Sequence, residues 1–367
     1  MKSTYHRIAL RSARALTALA CALICACAAT AGAAQAATLL ISGGGYGHGV
    51  GMSQEGALGY AEHGYSYRQI LTHYYAGTSI ATAPANTKVR VLIDGKVQSI
   101  ALETYVRGVV SAEVSPSWPL AALEAQAIAS RTYALTAHAG GSTFDVYADT
   151  RSQVYRGVAA QTPQTDAAVA ATAGQIVTYA GKPAVTYFFA SSGGRTENVE
   201  DSFVGSQSEP WLRGVVDQYE PSGDHHAWKL SLSFAAAAAD LRGLVRGGFE
   251  GVEVLKRGFS PRIVSAYVLG SGGRTAVSGP MLAERLGLFS AWAYFSIGEG
   301  QTIKPEPDRS GWTPLMSPAP AAAPAPAAEE GGGVAASATP EATAASASGS
   351  TPSAPSSSAG GAAAPVG

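Results

Sequence analysis

Gly43-Gly44-Gly45-Tyr46-Gly47-His48-Gly49-Val50-Gly51-Met52-Ser53-Gln54-Glu55-Gly56-Ala57 places six glycines in the nine residues from Gly43 to Gly51. Glycine loses the most backbone freedom on folding, so it weakens helices and strands and is used where the chain turns left-handed or another surface comes very close. The run therefore reads as a loop against which something packs, and a ligand is the expected occupant. Phosphate-cradling patterns do not explain it, because neither G-x-G-x-x-G after a strand nor GK[ST] is present. Downstream, Ser53 to His63 carries alanine, leucine and tyrosine at helical spacing and stops at Gly64. Tyr67 to Tyr75 predicts a second short helix ending near Gly77, so a helical hairpin is expected to support the loop.

Residues 1–37 carry Lys2, Arg7, Arg11 and Arg14, an apolar stretch from Ala15 to Ala29, and Ala34-Gln35-Ala36-Ala37, the pattern of an export signal. The unbroken apolar run is shorter than the ~20 residues a membrane-spanning helix needs. The expected location is therefore exported, in the cell envelope or outside the cell. Cys21, Cys25 and Cys27 all lie inside this leader, which leaves the mature chain without a disulfide or a thiolate and excludes cysteine chemistry. Ile24-Cys25-Ala26-Cys27 leaves open a lipid-anchored form at Cys27, although the usual leading leucine is missing.

The chain's formal charge of −1 becomes −5 without the four cations of the leader. Nucleic-acid binding needs clustered Lys and Arg to displace counterions, so that class is excluded. From Ser317 to Gly367 the composition is Ala, Pro, Ser and Gly, with Glu329, Glu330 and Glu341 the only charges and no aromatic residue. Such a segment cannot bury enough apolar area to offset its ordering entropy, so 305–367 reads as linker and disordered tail. Thr38–Lys304 is near the upper size of one domain, ~250–300 residues, and is expected to form a single compact unit. Nothing in the sequence fixes its oligomeric state.

Lys88–Ile93, Asp94-Gly95 and Lys96–Ile100 form a hairpin signal, because Asp-Gly suits the two left-handed positions of a type I′ turn. Ser117 as N-cap and Gly140-Gly141 as terminators predict a helix over Trp118–Ala139. Leu120, Leu123, Ala127, Ile128, Ala134 and Leu135 lie on one stripe and small residues on the other face, so the helix should be central and buried. Strands are expected at 175–179, 184–189, 263–269 and 275–277, and helices near 165–172 and 234–242. The absence of regular βαβ alternation favours an α+β class. Ser-Gly-Gly-Arg-Thr occurs at 192–196 and again at 271–275, the second copy reading as a turn between strands.

Glu113 is an isolated acid after the apolar Val109-Val110 and before the buried helix. Partial desolvation there raises a carboxyl pKa toward the range a general acid uses, although an acid at a strand end is also a common structural partner for a base. Arg131 sits at the centre of the apolar stripe, so it must either pair with an acid or face a wet cleft. Glu103 reads as structural. His48, with little bulk around it, suits sugar binding or proton handling, the alternative being a core histidine. Ser53 lacks a nucleophile elbow and is set aside. The histidines show no H-E-x-x-H spacing, which leaves Asp224-His225-His226 as the remaining metal candidate.

The string from Gly43 to Ala57, continued by Ala61-Glu62-His63-Gly64-Tyr65 and by Ile70 to Thr78, resembles the signature of the sporulation stage II protein D family (SpoIID/LytB). Tyr105 to Pro119, running into Ala125 to Ala134, resembles the family's catalytic segment, and Tyr187 to Glu197 a third family string. The resemblance covers residues 42–80 and 88–295 and implies a single α+β catalytic domain acting on peptidoglycan glycan strands. It places the catalytic acid at Glu113 and substrate contacts at His48, Gln54, Arg131, Ser192, Gly193, Arg195 and Thr196. It implies no cofactor here; some relatives carry zinc on His and Cys, and this mature chain has no Cys. Other cell-wall hydrolases are possible partners. The implied reaction is a lytic transglycosylase cut between N-acetylmuramic acid and N-acetylglucosamine giving a 1,6-anhydro product. A water-using muramidase and a non-catalytic glycan-binding modulator remain open. Family members place the GHGVGMSQ module after the catalytic glutamate, whereas here it comes first. This is a circularly permuted order, which requires the chain near Ser42 to lie beside that near Phe295 and the loop to face Glu113.

Overall fold

The computed structural model describes residues 37–220 and 225–298. The leader with its cysteines and the Cys27 lipidation site, Asp224 of the metal candidate and the tail beyond Lys304 lie outside the described residues. The chain begins with β1 (Thr38–Gly44), β2 (Met52–Ser53), α1 (Gln54–Glu62), α2 (Tyr67–Tyr74) and β3 (Ser79–Thr82). It continues through β4 (Lys88–Ile93), β5 (Lys96–Ala101), α3 (Leu102–Glu113), α4 (Leu120–Thr136), β6 (Val146–Tyr147), α5 (Pro163–Ala171), β7 (Gln175–Tyr179), β8 (Lys182–Pro183), β9 (Phe188–Phe189) and α6 (Val199–Ser202). The last part comprises β10 (Ala227–Ser233), α7 (Phe234–Asp240), β11 (Phe249–Arg257), β12 (Ile263–Gly270), β13 (Gly273–Ser278), α8 (Gly279–Arg285) and β14 (Ala293–Gly298). Helices and short sheets are mixed without βαβ repetition, an α+β architecture.

Local chemistry accounts for most boundaries. Ser53 caps α1 by accepting from the Gly56 amide, and Ser66 opens α2 in a capping box with Gln69. Asp94 and Gly95 take φ values of +47° and +76°, the two left-handed positions the β4–β5 hairpin demands.

α4 is the central helix. Leu123, Ala127 and Ala134 pack into a cluster with Tyr105, Val106, Val109 and Val110 of α3 and Val89 and Val91 of β4. Ala125, Ile128 and Ala129 pack into a second cluster with Met52, Tyr60, Ile70, Leu71 and Tyr74 of the N-terminal module. One helix thus serves two cores, which is why it is small or apolar nearly all round. It starts at Leu120, two residues later than Trp118, because a residue before proline is excluded from the helical region. Pro119 occupies the N-cap position without a side-chain cap, Ser117 hydrogen bonds with Ser115, and Leu120 is exposed.

Tyr105–Glu113 departs from the reading of Glu113 as an acid at a strand end, for it is the helix α3. Leu102, Tyr105, Val106, Val109 and Val110 are its buried residues, at i, i+3, i+4, i+7 and i+8. The strand expected at 184–189 shrinks to the two residues of β9, after the equally short β8. Between them the Tyr187 carbonyl is taken by the Met52 amide at 3.1 Å and the Tyr75 hydroxyl at 2.8 Å.

β1 lies between β10 and β14, antiparallel to both, with Ile41 opposite Phe295 and Ser42 opposite Tyr294. The two ends of the described fold are therefore paired, the closure that a permuted chain order needs. A third apolar cluster, with Leu39, Ile41, Trp228, Ile263, Val268 and Leu286, forms beneath this sheet.

Candidate active site

Glu113 is the last residue of α3, and its carboxylate is held on both oxygens. The Val154 amide donates to Oε1 at 2.6 Å, and Gln54 Nε2 donates to Oε2 at 3.1 Å. Burial pushes its pKa up, while the two donors and the Arg156 guanidinium act the other way without cancelling it. Its place in the last turn of a helix, at the negative end of the dipole, also disfavours the charged form. The net result is a carboxyl group raised above its ordinary value and firmly oriented, the condition a general acid requires.

The cleft around Glu113 has a volume of about 190 Å³ and is built from five other parts of the chain. The glycine loop supplies Tyr46 and His48, α1 supplies Gln54, α4 supplies Tyr133, the loop after β6 supplies Thr150 and Ser152 to Val154, and the chain through β9 supplies Tyr187 to Ala190. Glu113 is the only acid among these lining residues.

His48 lines the cleft but is a neutral wall. Burial, with the Arg262 charge second, brings its pKa down to about 3. Its Nδ1 accepts from the Val50 amide at 3.0 Å, and its ring packs among Tyr187, Phe189 and Phe203. A histidine that is unprotonated at any working pH does not shuttle protons by gaining one, which leaves the cleft contact and the core histidine of the readings open for it.

The glycine loop meets protein where a ligand was the expected occupant. Gly49, at φ +88°, lies so close to Arg262 that an added Cβ would be 2.6 Å from its Nε. At Gly51, φ +76°, the Cβ would fall 2.1 Å from the Tyr187 carbonyl oxygen. Arg262 is buried beneath the loop, donates to the carbonyls of Arg195 at 3.0 Å and Ser192 at 3.3 Å, and has its pKa pushed down to about 10 by burial against the pull of Glu197 and Glu220. The glycines let the loop lie flat on this charged layer, which in turn presents Tyr46 and His48 to the cleft.

Four other residues expected at substrate lie outside the Glu113 cleft. Ser192 and Gly193 donate their amides to the buried Glu220 carboxylate, at 2.7 and 3.1 Å, and the Ser191 and Ser192 hydroxyls bind the same group. The Ser-Gly-Gly turn is a cradle for an internal acid. Thr196 Oγ1 accepts from the Val215 amide at 2.8 Å and is buried, and Arg195 is exposed but outside the cleft.

Arg131 also leaves the site. Fully buried, it makes a bidentate pair with Glu103, Nε to Oε1 and Nη2 to Oε2, both 2.8 Å. It further donates to the carbonyls of Gln175 at 3.1 Å and Val169 at 3.4 Å. Of the two readings open from its position on α4, the structural pair with the acid at the start of α3 is the one observed. Among the described residues no group of three potential metal ligands comes together; His225 stacks on Tyr46 and His226 Nδ1 lies 3.6 Å from Glu220 Oε1.

Tyr133, Tyr187, Phe188 and the 150–154 loop line the cleft without having been singled out as ligands. Tyr133 and Tyr187 were visible as aromatics within the family-like strings. The Val154 amide carries no side-chain signal at all.

Residues 94–179, from the β4–β5 turn to the end of β7 and including Glu113, match the family model described as stage II sporulation protein, SpoIID. An uncharacterized protein of Brachyspira hyodysenteriae is 37% identical over 169 residues, 45% of this chain and 43% of that protein. Stage II sporulation protein D of Bacillus subtilis is 29% identical over 232 residues, 58% of this chain and 65% of its own. The amidase enhancer of Bacillus subtilis is 35% identical over 129 residues, 35% of this chain and 17% of its own. The chain thus spans less than two thirds of the length of these relatives.

Proposed function

Because the chain belongs to the SpoIID family, whose model it matches over residues 94–179, we propose that it is an exported peptidoglycan lytic transglycosylase with Glu113 as its acid and base. The observation that carries this reading is the single carboxyl group of the cleft, desolvated and held by two donors. Protonated Glu113 gives its proton to the oxygen of the β-1,4 bond between N-acetylmuramic acid and N-acetylglucosamine, and that bond breaks with its electron pair on the leaving oxygen. The resulting carboxylate then takes the proton of the muramyl 6-hydroxyl as this oxygen bonds to the anomeric carbon. The product is a 1,6-anhydro ring, and Glu113 returns to its protonated form.

An intramolecular nucleophile needs no second carboxylate, whereas water-using glycosidases place two at either ~5–5.5 or ~6.5–9.5 Å. Among the described residues the cleft supplies one acid, which favours the anhydro product over hydrolysis. Tyr133, Tyr187 and Phe188 offer ring faces, and Gln54, Ser152 and Gln153 offer polar groups, a mixture suited to a sugar. The likeness to an amidase enhancer supports a second reading, a glycan-binding modulator of another cell-wall hydrolase. Incubating the purified protein with glycan strands and weighing the products separates the readings. Anhydro ends support the lytic reaction, reducing ends a muramidase, and binding without cleavage the modulator.

A further inference from the structure

The sheet β10-β1-β14 buries one face and opens the other. Gly43, Trp228 and Ala293 form one cross-strand row on the inner face, where Trp228 and Ala293 are buried. The next row, Lys229, Ser42 and Tyr294, projects outward, and Ala227 and Gly44 continue that face toward Trp292. The indole of Trp292 lies against the glycine backbone: a Cβ at Gly44 would be 3.5 Å from its Cδ2, and one at Gly193 3.1 Å from its Cζ3.

These residues form a groove of about 500 Å³ whose wall is Trp292 and Tyr294, whose floor is Gly44 and Gly193, and whose rim includes Lys229 and His226. Tyr294 is 47% exposed, with Arg257 fixed against its ring at 4.3 Å. Two aromatics in file beside a floor without side chains suit the flat apolar face of a pyranose, and the cation and imidazole at the edge suit its hydroxyl and carboxyl groups.

The groove and the cleft of Glu113 are both lined by the glycine loop. Gly45 is pinned by donating to the His226 carbonyl and by accepting from Trp228 Nε1 at 2.9 Å. The next residue, Tyr46, already lines the cleft and stacks on His225 at 4.6 Å. Gly44 and Tyr46 are two residues apart, at most about 7 Å along the chain. Both sites thus share the glycine loop as their common edge, and only an extended ligand occupies both.

We propose that this aromatic groove is a distal subsite for the glycan strand, which passes over Gly44–Tyr46 to reach Glu113. The inference rests on the reading of the cleft as a glycan site and adds where the strand is held outside it.

The test is co-sedimentation of the full chain with purified peptidoglycan sacculi, alongside cleavage of glycan fragments of increasing length. Trp292 also packs on Gly44, so Tyr294→Ala, which removes an exposed ring, carries the test with Trp292→Ala as its companion. Tyr294→Ala should weaken retention on sacculi by at least about fivefold, as expected for loss of one aromatic contact. Its turnover of the shortest cleavable fragment should be unchanged. Retention within about twofold of wild type in both variants, in a protein that cleaves glycan, overturns the groove alone. Retention that depends on Tyr294 without any cleavage upholds the groove and overturns the lytic reading. No retention of the wild-type chain overturns both.

Discussion

Gln54 Nε2 donates a 3.1 Å hydrogen bond to Glu113 Oε2 across 59 residues of chain. The contact joins the N-terminal glycine module to the segment matched by the family model, and with the Val154 amide it opposes the rise that burial imposes on the pKa of the cleft's acid. Gln54 begins α1 directly after its cap Ser53, so its side chain is aimed by a helix terminus rather than by a flexible loop.

A donor to the carboxylate holds the Glu113 pKa down against the effect of burial. Gln54→Leu removes that donor, so the pKa should rise further. For a general acid, activity is present below its pKa and lost as pH climbs through it. The alkaline limb of the pH–rate profile should therefore move to higher pH in Gln54→Leu, with kcat reduced. An unmoved limb would show that Gln54 does not act on Glu113.

The raised pKa of Glu113 also makes a statement about stability. An acid whose folded pKa exceeds its unfolded one costs nothing below the unfolded value, and the cost develops as pH rises through the folded value. Glu113→Gln should then match or exceed the wild-type melting temperature at neutral and alkaline pH. The difference should vanish below the ordinary glutamate range. A marked loss of stability at neutral pH would mean that the carboxylate is a structural partner.

Arg131 is predicted to matter for folding and not for substrate. Arg131→Ala leaves the part-exposed Glu103 without its bidentate partner and the Gln175 and Val169 carbonyls without a donor, and should cost about 1–3 kcal/mol. Replacing both residues by Met should recover much of that loss. KM of the remaining folded enzyme should not change, and a selective rise in KM would return Arg131 to the substrate.

Gly51→Ala and Gly64→Ala separate backbone strain from close contact. Both glycines have φ near +80°, but a Cβ at Gly64 meets nothing within 4 Å whereas at Gly51 it meets the Tyr187 carbonyl. Gly64→Ala should cost only the left-handed penalty, about 1–2 kcal/mol. Gly51→Ala should lower the melting temperature clearly more, because Tyr187 forms a wall of the cleft and must move. Equal losses in the two variants would contradict the packing described.

Much of this fold was legible in local sequence. The Ser53 and Ser66 caps, the Asp94-Gly95 turn and the small-residue character of α4 each specify their own conformation. The helical period of Leu102, Tyr105, Val106, Val109 and Val110 is equally present in the sequence, although an apolar Val109-Val110 before an acid also fits a strand end. β1 and β14 were beyond local reading, since each is defined by a partner at the far end of the chain.

At the site, Glu113, Gln54 and His48 come together as their motifs imply. Ser192, Gly193 and Thr196 lie outside the Glu113 cleft, and a polar turn looks the same in sequence whether it receives a ligand or a buried side chain. Glu220, the group the Ser-Gly-Gly turn holds, lies 28 residues from Ser192, and only the folded chain reveals the pairing.

The most direct test of the central claim is the turnover of Glu113→Gln on glycan strands, measured beside its binding to the same strands. The amide keeps the size and hydrogen bonding of the acid but neither gives nor takes the catalytic proton. Turnover should fall by at least ~10²-fold with binding nearly unchanged. Turnover close to wild type would contradict the account, since among the described residues no other acid lines the cleft to take its place.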